Sequence, residues 1–197
     1  MKNNKLRILV EGAVMVALAF GLSLLKIYHF PWGGSVTVLS MLPIIVFSIR
    51  NGVGSGLMCS FVYSLTQLAQ GIIGDGLFTW GLTPLLLVGC IFFDYVGAFT
   101  VLGLAGMFRK KGMGGWIGGA IIAIALRYVL HILSGGLIFV TVGLIMDWDI
   151  QNAWVYSMVY NGAFMLPEMI LTTVGAVVLF KTGAIKMILK GEDVKAS

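Results

Sequence analysis

Six long apolar stretches, separated by short polar segments, dominate this chain of 197 residues. They cover residues 8–27, 36–49, 52–73, 83–108, 115–140 and 154–181. A helix of about 20 apolar residues spans the hydrocarbon core of a bilayer, and only the second stretch is short for a perpendicular crossing. Soluble domains are about 45–50% apolar and about 25% charged, whereas this chain is 59% apolar and 11% charged. We therefore predict an all-α integral membrane protein, one domain over residues 1–197 with six transmembrane helices.

The basic residues fall almost entirely on one side of this topology. With the N-terminus inside, 11 of the 13 Lys and Arg residues are cytoplasmic: Lys2, Lys5, Arg7, Arg50, Arg109, Lys110, Lys111, Lys181, Lys186, Lys190 and Lys195. The outer loops carry Lys26 together with Asp75, Asp147 and Asp149. Because cytoplasmic loops hold such an excess, we predict cytoplasmic N- and C-termini and a multi-pass protein of the plasma membrane. The same asymmetry accounts for the net charge of +5 without a nucleic-acid partner.

Five ionisable residues lie inside the predicted helices, where a charge is costly to insert: Glu11, Asp94, Arg127, His131 and Glu168. Arg127 and His131 are four residues apart and therefore share one helix face. Two interpretations stay open and can hold together: an ion pair between Asp94 and Arg127, and a contact between His131 and a ligand. We expect a structural role for Glu11 near the cytoplasmic interface. Pro167 predicts a kink before Glu168, and three roles stay open for that carboxylate: proton coupling, a pair with another helix, or a place at a subunit interface.

Polar and aromatic side chains gather toward the outer ends of the last helices. Tyr156 and Asn161 join Asp94 and His131 at membrane depth, and Phe139 follows His131 by about two turns on nearly the same face. A buried amide needs a partner helix or a ligand. The set predicts an outward-facing half-pocket for a flat, nitrogen-rich small molecule, bound by hydrogen bonds and by stacking or cation–π contact. Other outer aromatic residues, Trp32 among them, fit either an interfacial belt or the roof of that pocket.

Motifs for catalysis are missing from the sequence. It contains no phosphate-binding G-x-x-x-x-G-K-[ST] loop and no H-E-x-x-H or G-x-S-x-G motif. Cys59 and Cys90 lie in apolar runs and are expected to be free, and two histidines cannot build a His-rich metal site. We therefore predict that the protein is not an enzyme and has no cofactor or metal. The glycine-containing loop 74–82 is a candidate lid over the pocket.

Several short motifs, in order along nearly the whole chain, resemble those of a known transporter family. They are Glu11-x-Ala13-x-x-x-Ala17-Leu18-Ala19-Phe20, Pro43 followed by Ser48-x-Arg50-x-Gly52, Asp94-Tyr95, Gly103-x-Ala105-Gly106-x-Phe108-Arg109, Arg127-Tyr128-x-x-His131-x-x-x-Gly135, and Tyr156-Ser157-x-x-x-Asn161-Gly162. The chain is similar to the substrate-binding S components of energy-coupling factor (ECF) vitamin importers, most closely to the thiamine-specific ThiT family.

The resemblance implies a six-helix S component that binds one vitamin molecule in its outer half. Family residues that surround thiamine match Asp94, Tyr95, His131, Phe139, Tyr156 and Asn161 here. We add Arg127 and Trp32 to this predicted substrate-binding set, because Arg127 shares the face of His131 and Trp32 lies close to a family tryptophan that is glycine here. The family has Glu at position 94 and Trp at position 139, so the expected ligand is thiamine or a closely related planar vitamin or precursor.

The resemblance also implies partner subunits. The family's AxxxA face on the first helix, which docks on a transmembrane coupling subunit, matches Ala13 and Ala17. Spacing alone leaves open whether these alanines instead pack inside the chain's own bundle. Two ABC ATPases would supply the ATP hydrolysis. A different class of transporter is the alternative: an autonomous proton-coupled carrier that uses Asp94, His131 and Glu168 as a proton relay. A membrane-embedded enzyme is disfavoured because the catalytic motifs are missing.

Overall fold

Helices form nearly all of the structure, a computed structural model that describes residues 2–139 and 148–182. In chain order they are α1 (Lys2–Ser23), α2 (Leu42–Asn51), α3 (Val53–Ile73), α4 (residues 84–111), α5 (Gly112–Leu137) and α6 (Ala153–Lys181). Two strands, β1 (Lys26–His29) and β2 (Ser35–Thr37), form an antiparallel hairpin between α1 and α2. Several predicted positions lie outside the described residues: residue 140, Asp147, Lys186, Lys190 and Lys195.

The distribution of polarity confirms a membrane protein. Four helical regions are long and apolar enough to cross a bilayer: Asn4–Ser23, Val53–Ile73, Pro84–Leu137 and Ala153–Lys181. Large apolar side chains point outward, with Leu9 70%, Met58 73% and Leu85 81% exposed, whereas Ser48 and Ser64 are fully buried. Lipid tails solvate apolar side chains, so polar groups gather where helices meet. The helix boundaries of α3 and α6 lie within one residue of the predicted stretches 52–73 and 154–181.

The region Pro84–Leu137 is a hairpin of two antiparallel helices. The chain reverses at Gly112, whose φ of +66° lies in the left-handed region that glycine tolerates. On either side of this turn the contacts pair residues symmetrically: Gly119 packs on Ala105, and His131 meets Asp94. The reversal falls in the predicted gap between residues 108 and 115. It brings the ionisable residues of the two helices to the same depth.

Helix α4 is irregular along its length. It consists of an α-helical turn (Pro84–Cys90), a π-helical segment (Ile91–Gly97), a short α segment (Ala98–Thr100) and a 3-10 segment (Val101–Lys111). A π-helical turn holds more residues than an α turn and rotates the side chains that follow, and such segments often occur at functional sites. Asp94 lies in the middle of this segment.

The predicted second helical stretch, residues 36–49, begins too early, and that prediction is wrong. Residues 35–37 form β2, which pairs Thr37 with Lys26 and Ser35 with His29. Helix α2 begins only at Leu42, with Pro43 in its first turn, and has 10 residues. At 1.5 Å per residue it is about 15 Å long, half of the hydrocarbon thickness. The first predicted stretch, 8–27, likewise overruns, because α1 ends at Ser23 and β1 begins at Lys26.

Close helix packing yields a test of the fold. A Cβ at Gly103 would lie 2.6 Å or less from the backbone of Leu57 on α3, whereas a Cβ at Gly114 meets nothing within 4 Å. We expect Gly103→Ala to cost about 1–3 kcal/mol of stability, because backbone cannot yield as a side chain can. The Tm of the detergent-purified protein should fall by about 5 °C. Gly114→Ala is the matched control and should leave Tm unchanged; equal values for the two variants would contradict the packing.

Candidate functional site

A cavity of about 300 Å³ lies among α3, α4, α5, α6 and the β-hairpin. It extends from loop residues such as Asp75 and Gln151 to Glu168, deep in α6. Volumes of about 300–1,000 Å³ are usual for small-molecule pockets. All the residues predicted to bind substrate line this cavity: Trp32, Asp94, Tyr95, Arg127, His131, Phe139, Tyr156 and Asn161. The folded chain thus brings them together, although they come from four separate segments: the β-hairpin, α4, α5 with the two residues that follow it, and α6.

A buried chain of polar contacts joins Asp94, His131 and Arg127. The Nδ1 atom of His131 lies 2.8 Å from Oδ1 of Asp94, and Nε of Arg127 donates to Nε2 of His131 at 3.3 Å. A guanidinium can only donate, so Nε2 must accept and the imidazole proton sits on Nδ1. His131 is therefore neutral, and it donates that proton to Asp94.

The expected ion pair between Asp94 and Arg127 is wrong, because the imidazole of His131 lies between the two charges. The hairpin places Asp94 level with His131, and Arg127 lies one helical turn away on α5. Both ring nitrogens of His131 already have partners within the protein. The ring packs on Phe164 in an edge-to-face arrangement, with 5.7 Å between ring centroids.

Neighbouring groups hold both ends of this chain in place. The hydroxyl of Ser134 donates to Oδ2 of Asp94, and the thiol of Cys90 contacts the same oxygen at 3.4 Å. The Arg127 guanidinium stacks on Phe99, with its central carbon 4.1 Å from the ring centroid, and Nη1 lies 2.9 Å from the sulfur of Met41. Cation–π contact gains strength where water is excluded. The Asp94 carboxylate and the guanidinium are therefore rigidly positioned.

Three aromatic rings form a cluster toward the loop end of the cavity. The Trp32 ring lies 5.5 Å from Trp80 and 5.7 Å from Phe139, and Trp80 lies 5.9 Å from Phe139. Trp32 is at the tip of the β-hairpin with φ of +62°, a strained conformation for a bulky residue. Such a cluster offers π faces to a flat or cationic ring. Trp80 is another of the outer aromatic residues for which the sequence left open an interfacial belt or the roof of the pocket, and it lines the cavity.

The loop 74–82, the candidate lid, is tied to β1 by one carboxylate. Asp75 lies 3.3 Å from Nζ of Lys26 and 2.9 Å from Nε2 of His29. The indole nitrogen of Trp80 donates to the carbonyl of Asp75 at 2.9 Å. These contacts hold Trp80 beside Trp32. Opening of the loop remains a prediction.

Helix α6 supplies the amide and phenol groups. Asn161 donates through Nδ2 to the carbonyl of His131 at 3.2 Å and to that of Ser157 at 2.9 Å. The rings of Tyr156 and Tyr160 are nearly parallel, 7° apart, with centroids separated by 6.5 Å. The spacing of four residues along one helix places them on the same side, and both line the cavity.

Sequence reasoning missed two polar contributors. Gln67 and Gln70 of α3 line the cavity, and Gln67 donates to Ser23 at 3.0 Å. Two amides inside an apolar helix indicate hydrogen-bond partners in the protein interior, so the sequence did contain evidence for this pair. Glu168, noted in the sequence with its role left open, lies at the deep end of the cavity, 2% exposed. Its part in the site depends on β2, which was predicted as helix.

The structure also places several other residues that the sequence singled out. Ala13 and Ala17 lie on the exposed face of α1, so the alternative in which they pack inside the chain's own bundle is wrong. Oε1 of Glu11 lies 3.3 Å from Nη1 of Arg50, an ion pair that agrees with the structural role expected for Glu11. Cys59 and Cys90 are buried and free. Among the described residues no group of three His, Cys, Asp or Glu side chains could hold a metal.

Comparisons with known proteins agree on one family. A family model described as "Thiamine transporter protein" matches residues 9–188. The thiamine transporter ThiT of Bacillus subtilis is 32% identical over 188 residues, which cover 88% of this chain and 90% of the relative. ThiT of Lacticaseibacillus paracasei is 27% identical over 194 residues, covering 88% and 86%. A solved structure of ThiT from Listeria monocytogenes shares the fold, with a TM-score of 0.72, 24% identity, and 92% and 97% of the two chains covered.

The Asp94–His131–Arg127 chain should stabilise the protein before any ligand binds. In Asp94→Asn the carboxylate no longer compensates the buried guanidinium, and an amide nitrogen faces donors from His131 and Ser134. We expect a loss of about 2 kcal/mol, seen as a fall of about 5 °C in the Tm of the ligand-free protein. Asp149→Asn makes the same chemical change at an exposed position and should have no effect. Equal Tm values for the two variants would argue against the chain.

Proposed function

This chain belongs to the thiamine transporter family, and on that basis we propose that it captures thiamine, or a closely related planar vitamin or precursor, in the cavity described above. It is a multi-pass protein of the plasma membrane. The observation that carries the proposal is the charge balance of the cavity wall. At membrane depth the wall holds two carboxylates, Asp94 and Glu168, and one guanidinium, Arg127, while Asp75 at the rim is paired with Lys26.

Counted by formal charge, the wall at membrane depth has one more carboxylate than guanidinium, an excess that a cationic ligand would balance. Thiamine carries a single positive charge on a flat thiazolium ring, joined to a planar aminopyrimidine. Burying an uncompensated charge is costly, so a monocation of this shape suits the cavity better than a neutral or anionic molecule. The cluster of Trp32, Trp80 and Phe139 supplies π faces for the cationic ring. Tyr95, Tyr156 and Asn161 are placed to orient the ligand from α4 and α6.

We further propose that the chain crosses the membrane six times with both termini in the cytoplasm. Helix α2 and the β-hairpin together make the second crossing, because α2 spans only half of the bilayer. Contacts at the two ends support this arrangement: Arg109 donates to the carbonyl of Arg50 at 3.1 Å at the basic end, and Lys26 pairs with Asp75 at the other. The excess of basic residues places the first end inside.

Transport itself is assigned to an ECF-type assembly. In this proposal the chain is the S component, and the exposed face of α1 with Ala13 and Ala17 docks on a transmembrane coupling subunit. Two ABC ATPases hydrolyse ATP, since this sequence has no phosphate-binding loop. The competing proton-coupled carrier requires His131 to exchange protons in a relay. Both of its nitrogens are held by Asp94 and Arg127, which favours the S component.

Binding can be followed by the protein's own fluorescence, since two of its five tryptophans line the cavity. Titration of the detergent-purified chain with thiamine should change the emission and saturate in the nanomolar range implied by the family resemblance. Trp80→Phe should reduce the change. Trp116→Phe is the matched control, because Trp116 donates to the Arg109 carbonyl at the opposite end. An absence of response to thiamine and its close analogues in the unsubstituted protein would contradict the assigned ligand.

One variant should impair docking on the coupling subunit without affecting thiamine binding. Ala17→Trp places a large side chain on the exposed face of α1, so uptake by vesicles that contain the coupling subunit, the ATPases and ATP should fall at least tenfold, while thiamine affinity stays unchanged. Ala69→Trp, at an exposed position of α3, is the control. Uptake driven by a pH gradient in vesicles that contain this chain alone would favour the autonomous carrier instead.

A further inference from the structure

Two glutamines near the C-terminal end of α3 are linked through a hydroxyl of α1. The hydroxyl of Ser23 donates to the carbonyl of Phe20 at 2.7 Å. Because its single proton goes to that carbonyl, the Ser23 oxygen accepts from Gln67, whose Nε2 atom lies 3.0 Å away. Gln70 contacts the same hydroxyl at 3.2 Å. The amide of Gln67 therefore has a defined orientation, with its nitrogen toward α1.

The carbonyl oxygen of that amide, Oε1, accepts no hydrogen bond from the residues that the structure describes. Gln67 is 9% exposed and lines the cavity. Its Oε1 atom is not among the polar atoms that are fully buried without a partner, unlike Oε2 of Glu168. Polar atoms that a protein leaves unpaired are usually satisfied by water or by a ligand. The cavity wall on α3 thus holds an oriented acceptor that a molecule in the cavity can reach.

Gln67 lies at the same end of the cavity as the aromatic cluster. It precedes the last residue of α3, Ile73, by six positions, which is about 9 Å along the helix axis. The loop that carries Trp80 begins directly after that residue. Leu68, the neighbour of Gln67, packs against the same small apolar core as Trp80 and Phe139. A substituent on a ring stacked in the cluster therefore faces the α3 wall.

A close contact between α3 and α4 adds a second polar group to this wall. The hydroxyl of Tyr95 packs against Gly71, where even a Cβ atom would overlap it. Gly71 follows Gln67 by four residues, so the two share one side of α3 about 6 Å apart along the axis. Both Tyr95 and Gln67 line the cavity. A phenol and an amide, both without formal charge, form this part of the wall.

We propose that Gln67 accepts a hydrogen bond from the alcohol of the ligand's hydroxyethyl chain and so selects thiamine over analogues that lack this hydroxyl. The inference rests on the proposed function and names a specificity-determining residue of the same cavity. Thiamine carries the hydroxyethyl chain on its thiazolium ring, the ring assigned to the aromatic cluster. A neutral amide suits a neutral alcohol. A site that hydrogen-bonds a ligand hydroxyl rejects the analogue without it, because a buried polar group is then left unpaired.

The test compares two ligands on two proteins. Affinities of thiamine and of the analogue with an ethyl group in place of the hydroxyethyl group are measured by calorimetry on the full chain and on Gln67→Leu. The unsubstituted protein should prefer thiamine at least threefold, a factor that one net hydrogen bond supplies. Gln67→Leu has no acceptor at this position, so the preference should fall at least threefold through weaker binding of thiamine.

Thr66→Val is the matched control on α3. The Thr66 hydroxyl donates to the Tyr63 carbonyl at 2.7 Å, and this residue is not among those that line the cavity, so both affinities should stay within twofold of those of the unsubstituted protein. A merely structural role of Gln67, through its bond to Ser23, would weaken both ligands equally. A smaller than threefold fall of the preference in Gln67→Leu, or an equal fall in Thr66→Val, overturns the inference while the proposed function stands.

Three further outcomes complete the design. If the unsubstituted protein binds the two ligands with affinities less than threefold apart, the inference is overturned. If it binds neither ligand, the proposed function fails together with the inference. If Gln67→Leu does not fold, Gln67→Asn takes its place: it keeps the amide but shortens its reach by one methylene, and the preference for thiamine should again fall at least threefold. A smaller fall in that variant would overturn the inference.

Discussion

The contact between Asp94 and His131 is the constraint on which the site depends. It joins two helices of one hairpin at membrane depth, and it extends through Nε2 of His131 to the buried Arg127. In the low dielectric of a bilayer these groups are tolerable only when each is satisfied by another. The reversal at Gly112 and the π-helical segment around Asp94 bring them into register. A small change in either would separate the charges.

This polar chain divides the cavity into two regions of different chemistry. Toward the loops, Trp32, Trp80 and Phe139 present π faces, held there by the β-hairpin and the loop that Asp75 ties to it. Toward the membrane interior, Glu168 presents a carboxylate oriented by Thr37. The irregular segments of the fold, rather than its long helices, thus create the selectivity of the site.

Much of the site could be read from residue types and spacing. Asp94, His131, Tyr156 and Asn161 stood out because polar groups in apolar helices need partners, and all of them line one cavity. The i, i+4 spacing of Arg127 and His131 correctly placed them on one face. The ion pair of Asp94 with Arg127 was a wrong inference, since charge and depth were known but the angular position of each side chain was not.

The sequence by itself determined the membrane class, the position of the turn between α4 and α5, and the ionisable residues of the cavity wall, because each charged residue inside an apolar helix carries its own insertion cost. Only the tertiary structure decided that residues 35–37 form a strand, that both ring nitrogens of His131 are paired within the protein, and that Thr37 holds the Glu168 carboxylate. These depend on contacts between residues far apart in the chain: Thr37 and Glu168 are separated by 131 positions. No local pattern carries that information, because hydrogen-bond satisfaction is a property of the assembled neighbourhood.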